Sequence, residues 1–178
     1  MKDTARVIVT GGPGTGKTSL IESLRAEGYN CFTERARAII REQLDLGTDL
    51  VPWENLVDFS ALVQERQIHD HKQAAQSQIN FYDRGAPDVL AYLHKANLYV
   101  KNLEENARKH LYFSKVFITP PWEQIYEMDE ERREDMASMY AIHHALVNTY
   151  ETIGYEVLEV PKVSVSDRLD FIKKAIGI

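Results

Sequence analysis

Gly11-Gly12-Pro13-Gly14-Thr15-Gly16-Lys17-Thr18 follows the apolar run Val7-Ile8-Val9 and leads into Ser19-Leu20-Ile21-Glu22-Ser23-Leu24. It fits the pattern G-x-x-x-x-G-K-[ST], with Gly11, Gly16, Lys17 and Thr18 in register between a strand-like and a helix-like segment. Each residue type has a task there. The glycines let the backbone take angles that a side chain forbids, so successive N–H groups can turn toward a polyphosphate. The helix that follows offers further unpaired N–H groups and the positive end of its dipole. Lys17 supplies a positive charge near the β- and γ-phosphates, and Thr18 a hydroxyl for Mg²⁺. The stretch predicts a nucleoside triphosphate site built from Gly12, Pro13, Gly14, Thr15, Gly16, Lys17, Thr18 and Ser19. A glycine-rich strand-to-helix turn that matches by accident is the competing explanation. Strand, loop, Lys-Thr pair and helix in the right order argue against it.

The rest of the chain sets the limits. Its 178 residues suffice for one well-buried core and are short for two domains, so a single domain over 1–178 is expected. Hydrophobic residues at 44% and charged residues at 27% give ordinary globular composition. No apolar run approaches a membrane span and no signal peptide is visible, so a cytoplasmic protein without a membrane partner is expected. The single cysteine, Cys31, excludes an internal disulfide and a cysteine-based zinc cluster. A formal charge of −6 argues against a nucleic-acid partner, which needs a basic face.

Strand patterns fall at residues 5–10, 29–33, 79–82, 115–119 and 155–160. Helical patterns fall at 17–27, 36–46, 53–77, 87–95, 100–109, 136–153 and from 164 onward, with a short helix at 122–126. Ser164 and Asp167 have the spacing of a capping box. Strands alternating with helical crossovers predict an α/β, three-layer P-loop NTPase fold: a five-stranded parallel sheet with helices on both faces. Ligands of such sheets sit beyond the carboxyl ends of the strands. The phosphate loop, Glu34-Arg35, Asp83-Arg84, Thr119-Pro120 and Pro161-Lys162 all lie there and should share one rim.

Phosphoryl transfer needs alignment, neutralised phosphate charge and a group that orients the attacking oxygen. Asp83 stands where a carboxylate can hold Mg²⁺ directly or through water, which makes Thr18 and Asp83 the metal candidates. Arg84 could pair with a phosphate; the plainer alternative is a surface turn with a local Asp–Arg pair. Glu34 is a candidate general base or a hydrogen-bond acceptor toward a sugar, unless it merely caps the helix at Ala36. The charged run 127–135 reads as a lid segment, about 127–136, whose Arg132 or Arg133 would close over the phosphates, or as a solvated helix start. Trp53, Gln64, Arg66 and Gln67 could touch an acceptor, but helix solvation explains them equally. The catalytic candidates are thus Lys17, Glu34, Asp83, Arg84, Arg132 and Arg133.

With these motifs in order, residues 11–18, Thr-Glu-Arg-Ala-Arg-Ala-Ile-Ile-Arg-Glu (33–42), Phe-Tyr-Asp-Arg-Gly-Ala-Pro-Asp (81–88), Pro-Pro-Trp-Glu-Gln-Ile-Tyr (120–126) and Asp-Glu-Glu-Arg-Arg (129–133) resemble the NadR-type AAA/P-loop ATPase domain. That family is similar to nicotinamide riboside kinases and, more distantly, to deoxynucleoside and thymidylate kinases. The resemblance implies a nucleoside/nucleotide-kinase-like fold, ATP with Mg²⁺, and a small nucleoside-like phosphate acceptor. It implies that Glu34 meets the acceptor's sugar, that Asp83 and Arg84 form the acid–Arg motif, that Arg132 or Arg133 serves the lid, and that the loop near Pro161 to Val165 lies against adenine. The chain departs from deoxynucleoside kinases in having Asp83-Arg84-Gly85 rather than Glu-Arg-Ser. The expected activity is transfer of the ATP γ-phosphate to a hydroxyl. The alternative is a nucleotide-dependent ATPase or GTPase switch without an acceptor, against which stands the absence of any guanine-reading Asn-Lys-x-Asp or Thr-Lys-x-Asp motif. The acceptor's identity and the oligomeric state are not encoded in any motif.

Overall fold

The computed structural model describes residues 4–125 and 136–178. Five parallel strands, β1 (Ala5–Gly11), β2 (Asn30–Phe32), β3 (Ile79–Asp83), β4 (Lys115–Thr119) and β5 (Glu156–Glu159), form one sheet in the order β2-β3-β1-β4-β5. The helices are α1 (Lys17–Ala26), α2 (Ala36–Asp45), α3 (Leu56–Lys72), α4 (Asp88–Lys95), α5 (Lys101–Lys109), α6 (Met136–Ile153) and α7 (Val165–Ile176), with a 3₁₀ turn at Glu123–Ile125.

The sheet is covered on both faces because its central strands are apolar on both. Side chains alternate along β1, so Val7 and Val9 pack with Leu20, Ile21 and Leu24 of α1 and Leu169 and Ile172 of α7. Ile8 points the other way, to Ile142, Leu146 and Tyr150 of α6 and Ile68 of α3. A further cluster, Ile39, Phe59, Val63, Val89, Leu90, Leu93 and Leu103, ties α2 through α5 together beside the sheet. The expected three-layer architecture is the observed one.

Two boundaries differ from the sequence pattern. The helix expected over 53–77 runs only from Leu56 to Lys72. It starts late because the Asn55 side chain accepts a hydrogen bond from the Asp58 amide, a local N-cap that leaves Trp53 exposed outside the helix. It stops early because Asn80 of β3, fully buried, accepts from the Ala75 amide and donates to the carbonyls of Ala5, Ala75 and Gln78. That network folds 73–78 into a turn. Ser164 caps α7 as expected: its Oγ accepts from the Asp167 amide at 3.2 Å and donates to the Asp167 carboxylate.

The register fixes the rim. Val9 pairs with Asp83, and Gly11 with Thr119, so the phosphate loop leaves β1 between the ends of β3 and β4. Gly11 is needed there: at φ +144° a Cβ would lie 2.2 Å from Thr119 Oγ1.

Candidate active site

The loop from Gly12 to Gly16 runs into α1 without any side-chain cap on the helix N-terminus and with no acidic residue in its first turn. Those amides are therefore left for an anion. Gly14 and Gly16 take left-handed backbone angles, φ +70° and +83°. Thr15 is buried; its hydroxyl lies 2.6 Å from Thr119 Oγ1 and donates to the Gly12 carbonyl at 2.9 Å, which holds the loop's shape. Thr18 and Ser19 are exposed at the start of α1. Lys17 is buried, and its ammonium curls back to donate to the Gly12 carbonyl at 2.7 Å. Burial and the nearby Arg84 lower Lys17 to about 8, against the opposing pull of Asp83, Glu34 and Asp88.

Asp83, Arg84 and Glu34 come together at the ends of β3 and β2, as the strand-end rule predicts. Asp83 is 6% exposed and its Oδ1 has no hydrogen-bond partner. Burial, helped by Glu34 and Asp88, pushes its carboxyl up to about 6 although Lys17 and Arg84 oppose the shift. A local Asp83–Arg84 pair does not form. Arg84 instead reaches Glu34 Oε1 with its Nε at 3.2 Å and Asp88 Oδ1 with Nη1 at 3.4 Å. Its backbone is left-handed, φ +73°, an unfavourable state for a non-glycine residue that persists only where surroundings enforce it. The Arg84 amide donates to Val9 and the Gly85 amide to Asp88, which provides that enforcement.

Glu34 does not cap α2, whose N-terminus has no side-chain cap bond. Burial alone would raise its carboxyl, but Arg84, Lys17 and Arg37 outweigh it and hold Glu34 below the usual carboxylate range. Its neighbour Arg35 turns away into a two-point ion pair with buried Asp70, both contacts at 2.6 Å. Of that pair only Glu34 meets Arg84 and lines the cleft beside the loop.

Glu34 and Arg84 open onto a cleft of about 200 Å³ between Pro13 of the loop, α2, α3 and α4, floored by Phe59 and Val63 and flanked by Tyr92. Gln67 lines it, is 5% exposed, and its Oε1 has no partner. Gln64, one turn away, is consumed by the Ala86 and Leu103 carbonyls. Arg66 pairs with Glu42 on the surface. A larger hollow, about 540 Å³, lies between α4, α5 and α6 beside His94 and His144 and contains none of the rim residues.

Asp88 is the residue that the sequence reading passed over. It is 2% exposed and accepts from Thr10, Tyr150, the Gly85 amide and Arg84. Its position four residues beyond Arg84, on the first turn of a helix, was the available signal. Arg132, Arg133 and nearly all of the lid segment lie outside the described residues.

The fold family implies Mg²⁺, and the residues fit it. A buried carboxylate oxygen without a partner at Asp83 and a free-standing hydroxyl at Thr18 are hard oxygen donors, in the small number that suits an ion retaining water and phosphate oxygens. Among the described residues no cluster of three or more His, Cys, Asp or Glu could hold a metal alone.

A family of known sequences described as an AAA domain matches residues 6–168. The chain belongs to the AAA domain family. The fold is shared with NadR, solved in complex with NR, at a TM-score of 0.73 and 18% identity over 98% of this chain and 52% of that one. It is shared with thymidylate kinase from Ehrlichia chaffeensis, at 0.64 and 16% over 97% of this chain and 99% of that one. A deoxyadenosine kinase from M. mycoides aligns at 0.65 and 13% over 96% and 98%. The AAA domain chain thus spans about half the length of NadR and nearly the whole of the two kinases. At these identities the likeness establishes a kinase-like P-loop fold. No curated protein matches the AAA domain chain in sequence. Among the described residues, no helix is long and apolar enough to cross a membrane.

Proposed function

We propose that this chain is, as a single P-loop domain, an ATP-dependent phosphotransferase that moves the γ-phosphate to a hydroxyl of a nucleoside-like small molecule. The observation that carries this reading is the placement of Glu34 and Arg84 between the loop bearing Lys17 and a cleft with an unpartnered amide, Gln67, at its wall. A site that only hydrolysed or sensed a nucleotide would have no use for that second chamber. NadR has been solved with NAD and AMP-PNP, and a deoxyadenosine kinase with bound dATP, which supports a nucleotide donor and a nucleoside-type acceptor here.

The loop amides and Lys17 hold the β- and γ-phosphates, and Lys17 swings from the Gly12 carbonyl to reach them. Thr18 and Asp83 would hold Mg²⁺, which would supply neutralisation of the phosphate charge. Glu34 is ionised at neutral pH, so it accepts a hydrogen bond from the acceptor hydroxyl and aims that oxygen at the γ-phosphorus. The oxygen–phosphorus bond forms as the bond from phosphorus to the β–γ bridging oxygen breaks, ADP leaves, and the hydroxyl proton passes to Glu34. In a loose transition state that proton moves late, so a weakly basic carboxylate suffices. Arg84, fixed by Glu34 and Asp88, presents its remaining N–H groups to the moving phosphoryl group.

The test is a panel of nucleosides and nucleotides incubated with the protein and Mg-ATP, with ADP and phosphorylated acceptor both quantified. ADP and a new phosphate ester in equal amounts are expected for at least one nucleoside. Release of inorganic phosphate alone, at a rate that no acceptor changes, would overturn the assignment.

A further inference from the structure

On the outer side of the phosphate loop, α7 delivers a charge that nothing described in the protein neutralises. Arg168 is 5% exposed, and its Nε has no hydrogen-bond partner. Among the described residues no carboxylate pairs with it, and burial alone lowers its guanidinium from the usual value. The guanidinium carbon Cζ sits over the Trp122 indole, 5.5 Å from the ring centroid. Its tip is at the loop: a Cβ built on Gly16 would stand 2.8 Å from Arg168 Nη1 and 3.3 Å from Ile125 Cδ1. An arginine seldom goes into a protein interior unpaired, because desolvating the ion costs more than packing its stem returns. Pressed against a helix N-terminus that already favours anions, the charge adds to a repulsive field in the free protein. A bound anion at the loop reverses both terms.

We infer that Arg168 is a donor-binding residue that closes the phosphate loop from α7 and takes a phosphate oxygen of the bound nucleotide as its counter-charge, with Trp122 holding the guanidinium in place. The inference rests on the proposed nucleotide site and adds a contact from an element far from the loop in sequence. The planar fork suits phosphate oxygens, and a cation–π contact with the indole holds the group without using any N–H group. Gly16 then has a second reason to be glycine besides its left-handed backbone: any side chain would displace the arginine from the loop.

The test uses the Arg168→Met and Arg168→Lys variants, with thermal unfolding and calorimetric titration against Mg-AMP-PNP, inorganic tripolyphosphate and adenosine. Loss of the guanidinium should weaken Mg-AMP-PNP and tripolyphosphate roughly ten- to hundredfold, the scale of one charged hydrogen-bonded contact. Adenosine binding should stay as it is, and Arg168→Lys should retain part of the affinity. The free Arg168→Met protein should melt at the same temperature as the parent or higher, since an uncompensated buried charge has gone. A structural role alone would lower the free protein's melting temperature and leave phosphate affinity intact, and that result overturns the inference. A loss confined to Mg-AMP-PNP and adenosine, with tripolyphosphate untouched, would place Arg168 at the base instead and overturn it too. If the parent protein binds neither phosphate ligand, the nucleotide site itself fails and this inference falls with it. If the parent binds and the variants bind equally, only the inference falls.

Discussion

Between β2, β3 and α4, Arg84 is enclosed by Glu34 and Asp88, and Asp88 in turn is held by Thr10, Tyr150 and the Gly85 amide. A few residues away, around the phosphate loop, Asp83 keeps a bare oxygen, Lys17 satisfies itself on a backbone carbonyl, and Arg168 has no counter-charge among the described residues. The same types of residue are thus buried in two ways: in one every charge has an opposite charge beside it, although Arg84 Nε meets Glu34 as an ion pair without hydrogen-bond geometry, and in the other the charges are left without one. Closed networks hold geometry, because each ion's desolvation is offset by its neighbours. Incomplete charges weaken the free protein and make sense when a ligand of opposite charge supplies the missing partners. On the proposed function, the charged wall of the acceptor cleft is built in advance, with Gln67 Oε1 left for the acceptor, and the donor side is finished by the nucleotide.

Substitutions on the two sides should consequently fail in different ways. The largest effect is expected from Lys17→Met, which removes the mobile positive charge: ADP formation should fall about 10³-fold or more with the free protein's melting little changed. A comparable turnover in that variant would mean that the loop does not hold the transferred phosphate. Asp88→Asn should act on folding rather than on chemistry first. It removes the charge that faces Arg84 and replaces one of the two accepting oxygens, shared in pairs by Thr10 with Arg84 and by Tyr150 with the Gly85 amide, with an NH₂ donor, a loss of about 3 kcal/mol in urea unfolding. An Asp88→Asn protein as stable as the parent would show that the closed network is not closed.

Glu34→Gln should lower kcat/KM for the acceptor roughly ten- to hundredfold while Mg-ATP affinity, read by calorimetry, stays within a factor of about two. Equal damage to both would move Glu34 to the donor side. The smallest effect is one of pH. Lys17 must be protonated to meet a phosphate and titrates near 8 in the free protein, so Mg-ATP affinity should be flat below that pH. Above it the affinity should decline by up to tenfold per pH unit, and Lys17→Met should abolish the slope.

How much of this was legible beforehand follows the range of the interactions involved. The loop is a local device: glycines, Lys17, Thr18 and two flanking elements are adjacent in the chain, so a pattern of eight residues announces it. Glu34, Asp83 and Arg84 could be placed on one rim because parallel sheets put their strand ends together, a rule of topology rather than of packing. The end of α3 was hidden, since Asn80 arrives from β3 to fold the turn that stops it. Gln64 and Gln67 look alike on one helix, and only the packing of Ala86 and Leu103 decides which is consumed. Arg168 carries no mark within the helical pattern from 164 onward, because its burial depends on α7 lying against α1 and on Trp122 just beyond β4. Long-range burial of a charge leaves no periodic trace in sequence.

The contrast between the two sides is tested most directly by thermal unfolding of Asp83→Asn and the parent, each with and without Mg-ATP, at pH 7 and pH 4. Asp83 titrates near 6 when folded, above the usual carboxylate value near 4, so the folded protein loses stability as pH rises through that interval and carries the full cost above it. The account predicts that free Asp83→Asn is more stable than the parent at pH 7, by about 2 kcal/mol, that the advantage disappears toward pH 4, and that the stabilisation by Mg-ATP is largely lost. A variant that melts below the parent at pH 7 and is stabilised by Mg-ATP to the same extent would contradict it.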